Sequence, residues 1–134
     1  MSSILIVDDD ADVRHFLRLV LERAGHEVLE ARNGKEAMEE IRRKTSNAVP
    51  NRPTTFDLVI TALFMLVQDG FETIRTLKKE YASLPIIAMS DRFRDFPQET
   101  LLRMAVALGA NGCMQKPLSA DFVLETVQRV LASQ

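Results

Sequence analysis

The sequence contains one cysteine, no excess of basic residues and no long apolar run. Because Cys113 is alone, an internal disulfide is excluded. A formal charge of -2 gives no electrostatic reason to expect nucleic-acid binding. No stretch approaches the roughly 20 apolar residues that span a bilayer, and the N-terminus has no signal-peptide pattern. These absences predict a cytoplasmic protein that binds neither nucleic acid nor membrane.

What is present is typical of a compact soluble domain. Hydrophobic residues make up 46% of the 134 positions and charged residues 27%, which is an ordinary globular balance. A chain of this length can bury one core, and it shows no repeat, linker or low-complexity tract. Residues 1–134 are therefore expected to form a single domain.

Short apolar runs alternate with helical patterns along the chain. Five segments are predicted as strands: Ile4–Val7, Glu27–Ala31, Leu58–Ile60, Pro85–Met89 and Gly112–Gln115. The clearest helix has apolar residues at three- and four-residue spacing from Val13 to Ala24, with Asp10 as its N-cap and Gly25 placed to end it. Ser119 is expected to cap the last helix. This alternation predicts a flavodoxin-like (βα)5 fold, a doubly wound parallel sheet of five strands in the order 2-1-3-4-5 with helices on both faces.

One segment is longer than an ordinary connection between a helix and a strand. Residues 44–55, "KTSNAVPNRPTT", are polar and contain two prolines. The segment is interpreted as an exposed loop between the second helix and the third strand. A tolerated insertion is favoured over a partner contact, because surface loops lengthen at small entropic cost.

Candidate site residues follow the predicted strands at their carboxyl ends, where ligands bind in this class of fold. Asp8 and Asp9 are carboxylates of the kind that holds Mg²⁺. Ser90 could donate a hydrogen bond to a phosphoryl oxygen, and the Lys116 ammonium could reach an anion in the same cleft. Taken singly, each has an ordinary alternative as a helix cap or a solvated side chain. As a set they predict one small pocket.

These motifs resemble the receiver domains of two-component response regulators over nearly the whole chain. The matching stretches are "ILIVDDD", "FDLVITALFMLVQDGFE", "PIIAMS" and "KP". The resemblance implies that Asp8, Asp9 and the backbone carbonyl of Phe64 are metal ligands, that Ser90 is the switch hydroxyl, and that Lys116 contacts phosphate. In the family an aspartate at the tip of the third strand takes a phosphoryl group from a histidine kinase, with help from Mg²⁺.

The acceptor position is occupied by Ala62, whose methyl group can neither attack phosphorus nor bind a cation. The neighbouring positions also depart from the family. Leu66 stands where proline is frequent, Asp91 where a small residue usually follows the switch hydroxyl, and Cys113 where an aromatic residue commonly reports the switch. Phosphorylation at position 62 is therefore excluded, and Mg²⁺ is expected to bind weakly or not at all.

The leading interpretation is a receiver that signals through protein contacts and is not an enzyme. Its expected partners are a histidine kinase, a phosphotransfer protein or a downstream output protein. The contact surface would be the fourth helix, fifth strand and fifth helix, or the first helix, in a monomer or weak dimer. One alternative moves phosphoryl acceptance to Asp8, Asp9 or Asp91. Another is a flavin- or nucleotide-binding domain, disfavoured because no glycine-rich loop follows the first strand.

Without a phosphoryl group, the ammonium of Lys116 needs another anionic partner. It is expected to pair with Asp8 or Asp9, because the surviving acids need a compensating charge. The same reasoning predicts that Ala62→Asp destabilises the metal-free domain, since a third carboxylate would repel the other two.

Overall fold

The computed structural model describes residues 2–45, 56–65, 67–90 and 97–134. Strands and helices alternate strictly along these segments. The strands are β1 (Ser3–Val7), β2 (Glu27–Ala31), β3 (Leu58–Ala62), β4 (Ile86–Ser90) and β5 (Gly112–Gln115). The helices are α1 (Ala11–Arg23), α2 (Gly34–Thr45), α3 (Gly70–Glu80), α4 (Gln98–Leu108) and α5 (Ala120–Ala132).

The five strands form one parallel sheet in the order β2-β1-β3-β4-β5, as the sequence predicts. The central strands β3 and β4 are buried along their whole length, which explains their mostly apolar sequences without alternation of polar and apolar residues. Because the strands are parallel, their carboxyl ends lie at one edge of the sheet. From β1 the chain adds β2 on one side and then β3, β4 and β5 on the other. The carboxyl edge between β1 and β3 is therefore the topological switch point, where ligands bind in this class of fold.

The core has two layers, one on each face of the sheet. Helices α2, α3 and α4 cover one face with residues such as Ile41, Leu77 and Leu101. Helices α1 and α5 cover the other, where Leu17 and Val127 are buried. No helix among the described residues is long and apolar enough to cross a membrane.

The helix ends follow the predicted capping residues. The side chain of Asp10 accepts a hydrogen bond from the amide of Asp12 and caps α1. Gly25 follows the end of α1 with a φ of 93°, a left-handed conformation that glycine adopts without strain. Ser119 caps α5 by accepting from the amide of Phe122. These three predictions are confirmed.

Two details of the sequence interpretation are wrong. Helix α2 continues through Thr45, so the predicted loop at 44–55 begins two residues too early. Lys44 belongs to the basic last turn of α2, where a positive charge interacts favourably with the negative end of the helix dipole. The rest of that loop, 46–55, lies outside the described residues. In α4, the spacing of Leu101, Met104, Ala105 and Leu108 predicts one buried stripe. Met104 is nevertheless 49% exposed, and Leu102 is buried beside Leu101 and Ala105 instead.

Candidate functional site

The predicted site residues meet at the carboxyl edge of the sheet. Asp8 directly follows β1, and Ala62 is the last residue of the neighbouring β3. Ala62 is in register with Met89, so Ser90 ends β4 one residue further along. Lys116 follows β5 directly. Three of these four side chains are buried or nearly so, and the fourth, Lys116, is only 13% exposed.

The centre of the site is an ion pair between Lys116 and Asp8. The Lys116 Nζ lies 2.8 Å from Asp8 Oδ2, and the Asp8 side chain is 1% exposed. The second oxygen, Oδ1, accepts a hydrogen bond of 3.0 Å from the amide of Asp10. Burial raises the pKa of Asp8 above its ordinary value, although the Lys116 ammonium and the Asp10 amide act in the opposite direction. The expected pairing of Lys116 with a surviving carboxylate is confirmed for Asp8.

A divalent cation such as Mg²⁺ requires oxygen ligands that are free to coordinate it. Both oxygens of Asp8 already have partners, Asp9 is exposed, and the side chain of Ala62 offers no oxygen. Within the described segments, no three His, Cys, Asp or Glu side chains come together as a possible metal site. Because Asp8 is engaged by Lys116 and the Asp10 amide and position 62 has no carboxylate, these residues fit poorly the magnesium site that the family resemblance implies.

The backbone around position 62 is tightly packed. Ala62 is 2% exposed, and a Cβ on Gly70 would lie 2.0 Å from the Ala62 carbonyl oxygen. The Gly70 amide donates to the Leu63 carbonyl at 2.8 Å, which closes the loop between β3 and α3. Phe64 is half-buried, and its ring meets that of Phe71 edge-on at 5.8 Å. Only glycine at position 70 permits this approach of α3 to the site.

Arg14 on α1 supports the acidic loop, a role that the sequence did not signal. Its Nη1 donates to the Asp8 carbonyl at 2.7 Å, and its Nε donates to Glu30 at 3.0 Å. Arg18 binds the other oxygen of Glu30 at 2.6 Å. Burial alone would raise the pKa of Glu30, but the hydrogen bonds from Arg18 and Arg14 leave it below its ordinary value. A charged Glu30 on β2 thus holds Arg14 against the Asp8 backbone.

Gln98, the first residue of α4, is the second residue without a sequence signal. Its Nε2 donates to the Ser90 carbonyl at 2.8 Å and to the Lys116 carbonyl at 3.3 Å. The Lys116 amide also donates to the Ser90 carbonyl, at 3.0 Å. A glutamine in a helical first turn resembles any solvated residue in the sequence, and only the tertiary fold places it over two strand ends.

A groove of about 730 Å³ opens beside the ion pair. Its walls include Val13 and Phe16 of α1, Gln98, Lys116 and Leu118. A second groove of about 280 Å³ lies between α4 and β5 and includes Val106 and Cys113.

Three further positions differ from the family resemblance: Cys113, Leu66 and Asp91. Cys113 is half-buried, with its Sγ 3.8 Å from the Leu102 carbonyl, and burial raises the pKa of its thiol. It therefore acts as a small packing side chain in the described structure. Leu66 and Asp91 lie outside the described residues.

Comparison with known proteins identifies relatives of this arrangement. The family model of the response regulator receiver domain matches residues 4–128. Protein PilH of Pseudomonas aeruginosa is 31% identical over 134 residues, covering 98% of this chain and 99% of PilH. Response regulator GtcR of Aneurinibacillus migulanus is 33% identical over 130 residues, covering 97% of this chain but only 46% of GtcR.

Solved structures show the same fold. The Vibrio cholerae chemotaxis protein CheY4 is 29% identical and superposes with a TM-score of 0.79, covering 97% of this chain and 98% of CheY4. This chain spans about half the length of some relatives, such as GtcR, and nearly all of others, such as PilH.

Proposed function

Because this chain belongs to the response regulator receiver domains, we propose that it serves two-component signalling without taking a phosphoryl group at position 62. The observation that carries the proposal is Ala62 itself. It ends β3 at the switch point, it is 2% exposed, and its side chain has no nucleophilic atom. The domain then acts through protein contacts and not as an enzyme.

The charges around Ala62 support this proposal. A family-type site gathers acids that a divalent cation neutralises, whereas here the Lys116 ammonium lies 2.8 Å from Asp8. One negative and one positive side chain already balance each other inside the pocket. An incoming Mg²⁺ would have to displace Lys116 from Asp8 and would gain no carboxylate from position 62. Weak or undetectable Mg²⁺ binding follows.

Receiver domains of two-component systems interact with kinases and output domains. In this chain the α4–β5–α5 face is the proposed contact surface for a kinase, phosphotransfer or output protein. Met104 and Val106 on α4 are 49% and 53% exposed, and Phe122 at the start of α5 is 40% exposed. Val106 also lines the groove between α4 and β5 with Cys113, so exposed apolar surface is present on this face, as is typical of interaction surfaces. Helix α1, which lines the groove beside Lys116, is the second proposed surface.

Intact mass spectrometry after incubation with acetyl phosphate and Mg²⁺ tests the proposal. The expected result is no gain in mass for the chain as given. The matched variant Ala62→Asp is the positive control, because it restores only the missing carboxylate. A hydroxylamine-labile gain of one phosphoryl group in the unaltered chain would contradict the proposal and place the chemistry on another acid.

The variant Asp9→Asn then identifies that acid. Asp9 is exposed, whereas both oxygens of Asp8 are engaged. Loss of the added mass in Asp9→Asn would assign acceptance to Asp9. Persistence of the added mass would direct attention to Asp8 or Asp91.

A further inference from the structure

Lys116 is held through both its side chain and its main chain. Its ammonium binds Asp8 at 2.8 Å, and its carbonyl accepts a hydrogen bond from Gln98 Nε2 at 3.3 Å. The same Nε2 donates to the Ser90 carbonyl at 2.8 Å. One amide group on α4 therefore joins the ends of β4 and β5, and Lys116 joins that point to the acid after β1.

We propose that Gln98 is a positioning residue that couples the Asp8–Lys116 pair to the position of helix α4. Residue 97, at the N-cap of α4, is a proline, which has no side-chain oxygen to accept from the first amides of the helix. The two hydrogen bonds of Gln98 therefore fix the start of α4 to the sheet edge. The inference deepens the proposed function by assigning a regulatory role to the same pocket.

The consequence concerns the surface that α4 presents. Leu101, Leu102 and Ala105 pack the inner side of α4 against the core, while Met104 and Val106 are exposed on the helix. If the start of α4 is released from the two carbonyls, these exposed side chains change position relative to β5 and α5. The state of the pocket would thus be transmitted to the proposed contact surface through Lys116 and Gln98, without a phosphoryl group.

Amide hydrogen exchange on the whole chain tests the role of Gln98 through the variant Gln98→Met. Methionine has a similar length and helix propensity but no donor. Losing hydrogen bonds of this kind is worth about 1.4 kcal/mol, so exchange of the α4 amides should rise about tenfold. Gln128→Met, at an exposed position of α5, is the matched control and should leave α4 unchanged.

Amides in β1 and β3 serve as internal references for global stability. If their exchange rises by the same factor as that of α4, Gln98→Met has only destabilised the fold and the proposal is wrong. Unchanged exchange in α4 would also overturn it. Selective loss of protection in α4 is the expected outcome.

Coupling between Lys116 and Gln98 is measured by introducing Lys116→Met into the unaltered chain and into the Gln98→Met variant. In the otherwise unaltered chain, loss of the ion pair should raise α4 exchange, because the Lys116 main chain is no longer held by Asp8. In the Gln98→Met background the same change should have little further effect on α4. The fold increases in α4 exchange of the two single variants, multiplied together, should exceed the fold increase of the double variant by at least about threefold. If each residue has only an independent structural role, the double variant should equal that product.

These measurements use no phosphodonor and no metal. They can fail while the mass spectrometry still shows no phosphorylation, or succeed while it shows phosphorylation on another acid. The two proposals are therefore separable.

Discussion

Placing a carboxylate at position 62 with Ala62→Asp should destabilise the metal-free domain. Position 62 is 2% exposed, and Asp8 nearby is 1% exposed. Two carboxylates about 5 Å apart repel by about 3 kcal/mol at an effective dielectric of about 20. Lys116, 2.8 Å from Asp8, would also attract the new charge and offset part of that repulsion. A net loss of about 1–3 kcal/mol in unfolding free energy is expected once burial of the new charge is included.

The loss is measured by thermal unfolding without Mg²⁺. For a domain of this size, about 1–3 kcal/mol corresponds to a fall of about 4–12 °C in Tm. Ala62→Asn is the matched control, because it adds the same volume without the charge. The difference between the Asp and Asn variants isolates the electrostatic part. Should Ala62→Asp unfold at the same temperature as Ala62→Asn or higher, the charge argument is refuted.

Adding Mg²⁺ provides the second arm of the experiment. Ala62→Asp has a third carboxylate, so Mg²⁺ should bind its folded state and recover stability by about 1.4 kcal/mol at a free concentration tenfold above Kd. The unaltered chain and Ala62→Asn should show a much smaller response. A Mg²⁺ response in the unaltered chain equal to that of Ala62→Asp would show that Lys116 does not compete with the cation for the acidic site.

Three further predictions test other parts of the structure. Gly70→Ala should lower the unfolding free energy by about 2 kcal/mol or more, measured by urea unfolding, because its Cβ would lie 2.0 Å from the Ala62 oxygen. Burial lowers the pKa of His26, so its contribution to stability is present above the unfolded value of 6.5 and is lost as pH falls through the lower folded pKa. Urea unfolding at about pH 7.5 and at about pH 5.5 checks this: the fall in unfolding free energy between the two pH values should be larger for the unaltered chain than for the His26→Gln variant. A double-mutant cycle of Arg14→Met and Glu30→Gln should give a coupling of about 1 kcal/mol; zero coupling would contradict the proposed support of the acidic loop.

The sheet could be predicted from sequence because its strands have a direct local signature. Short, mostly apolar runs rich in β-branched residues are typical of strands covered on both faces, and β3 and β4 are buried at every residue. The sheet order then follows from the alternation of strands and helices. The site positions could be predicted for the same reason, since residues that follow parallel strands must share an edge. Asp8, Ser90 and Lys116 are placed there by topology alone.

What the sequence did not indicate depends on side chains that reach across elements. Arg14 bonds the Asp8 carbonyl, and Gln98 bonds two carbonyls at strand ends. Main-chain acceptors are present at every position, so no residue pattern marks which ones a long side chain will reach. Met104 was misplaced for a related reason, because spacing predicts the direction of a side chain but not whether the facing space is already filled.

The Asp8–Lys116 pair is poorly explained by fold stability. Burial raises the pKa of Asp8 even with the ammonium at 2.8 Å, so keeping this carboxylate charged costs free energy. Buried ion pairs can often be replaced by apolar residues without loss of stability. What the pair does provide is a fixed position for the Lys116 main chain, whose carbonyl is one of the two that hold Gln98. If Gln98 positions α4 as proposed, the pocket has a physical reason to keep its acid and its lysine without a phosphoryl acceptor at position 62, since the pair and Gln98 together would fix the start of α4.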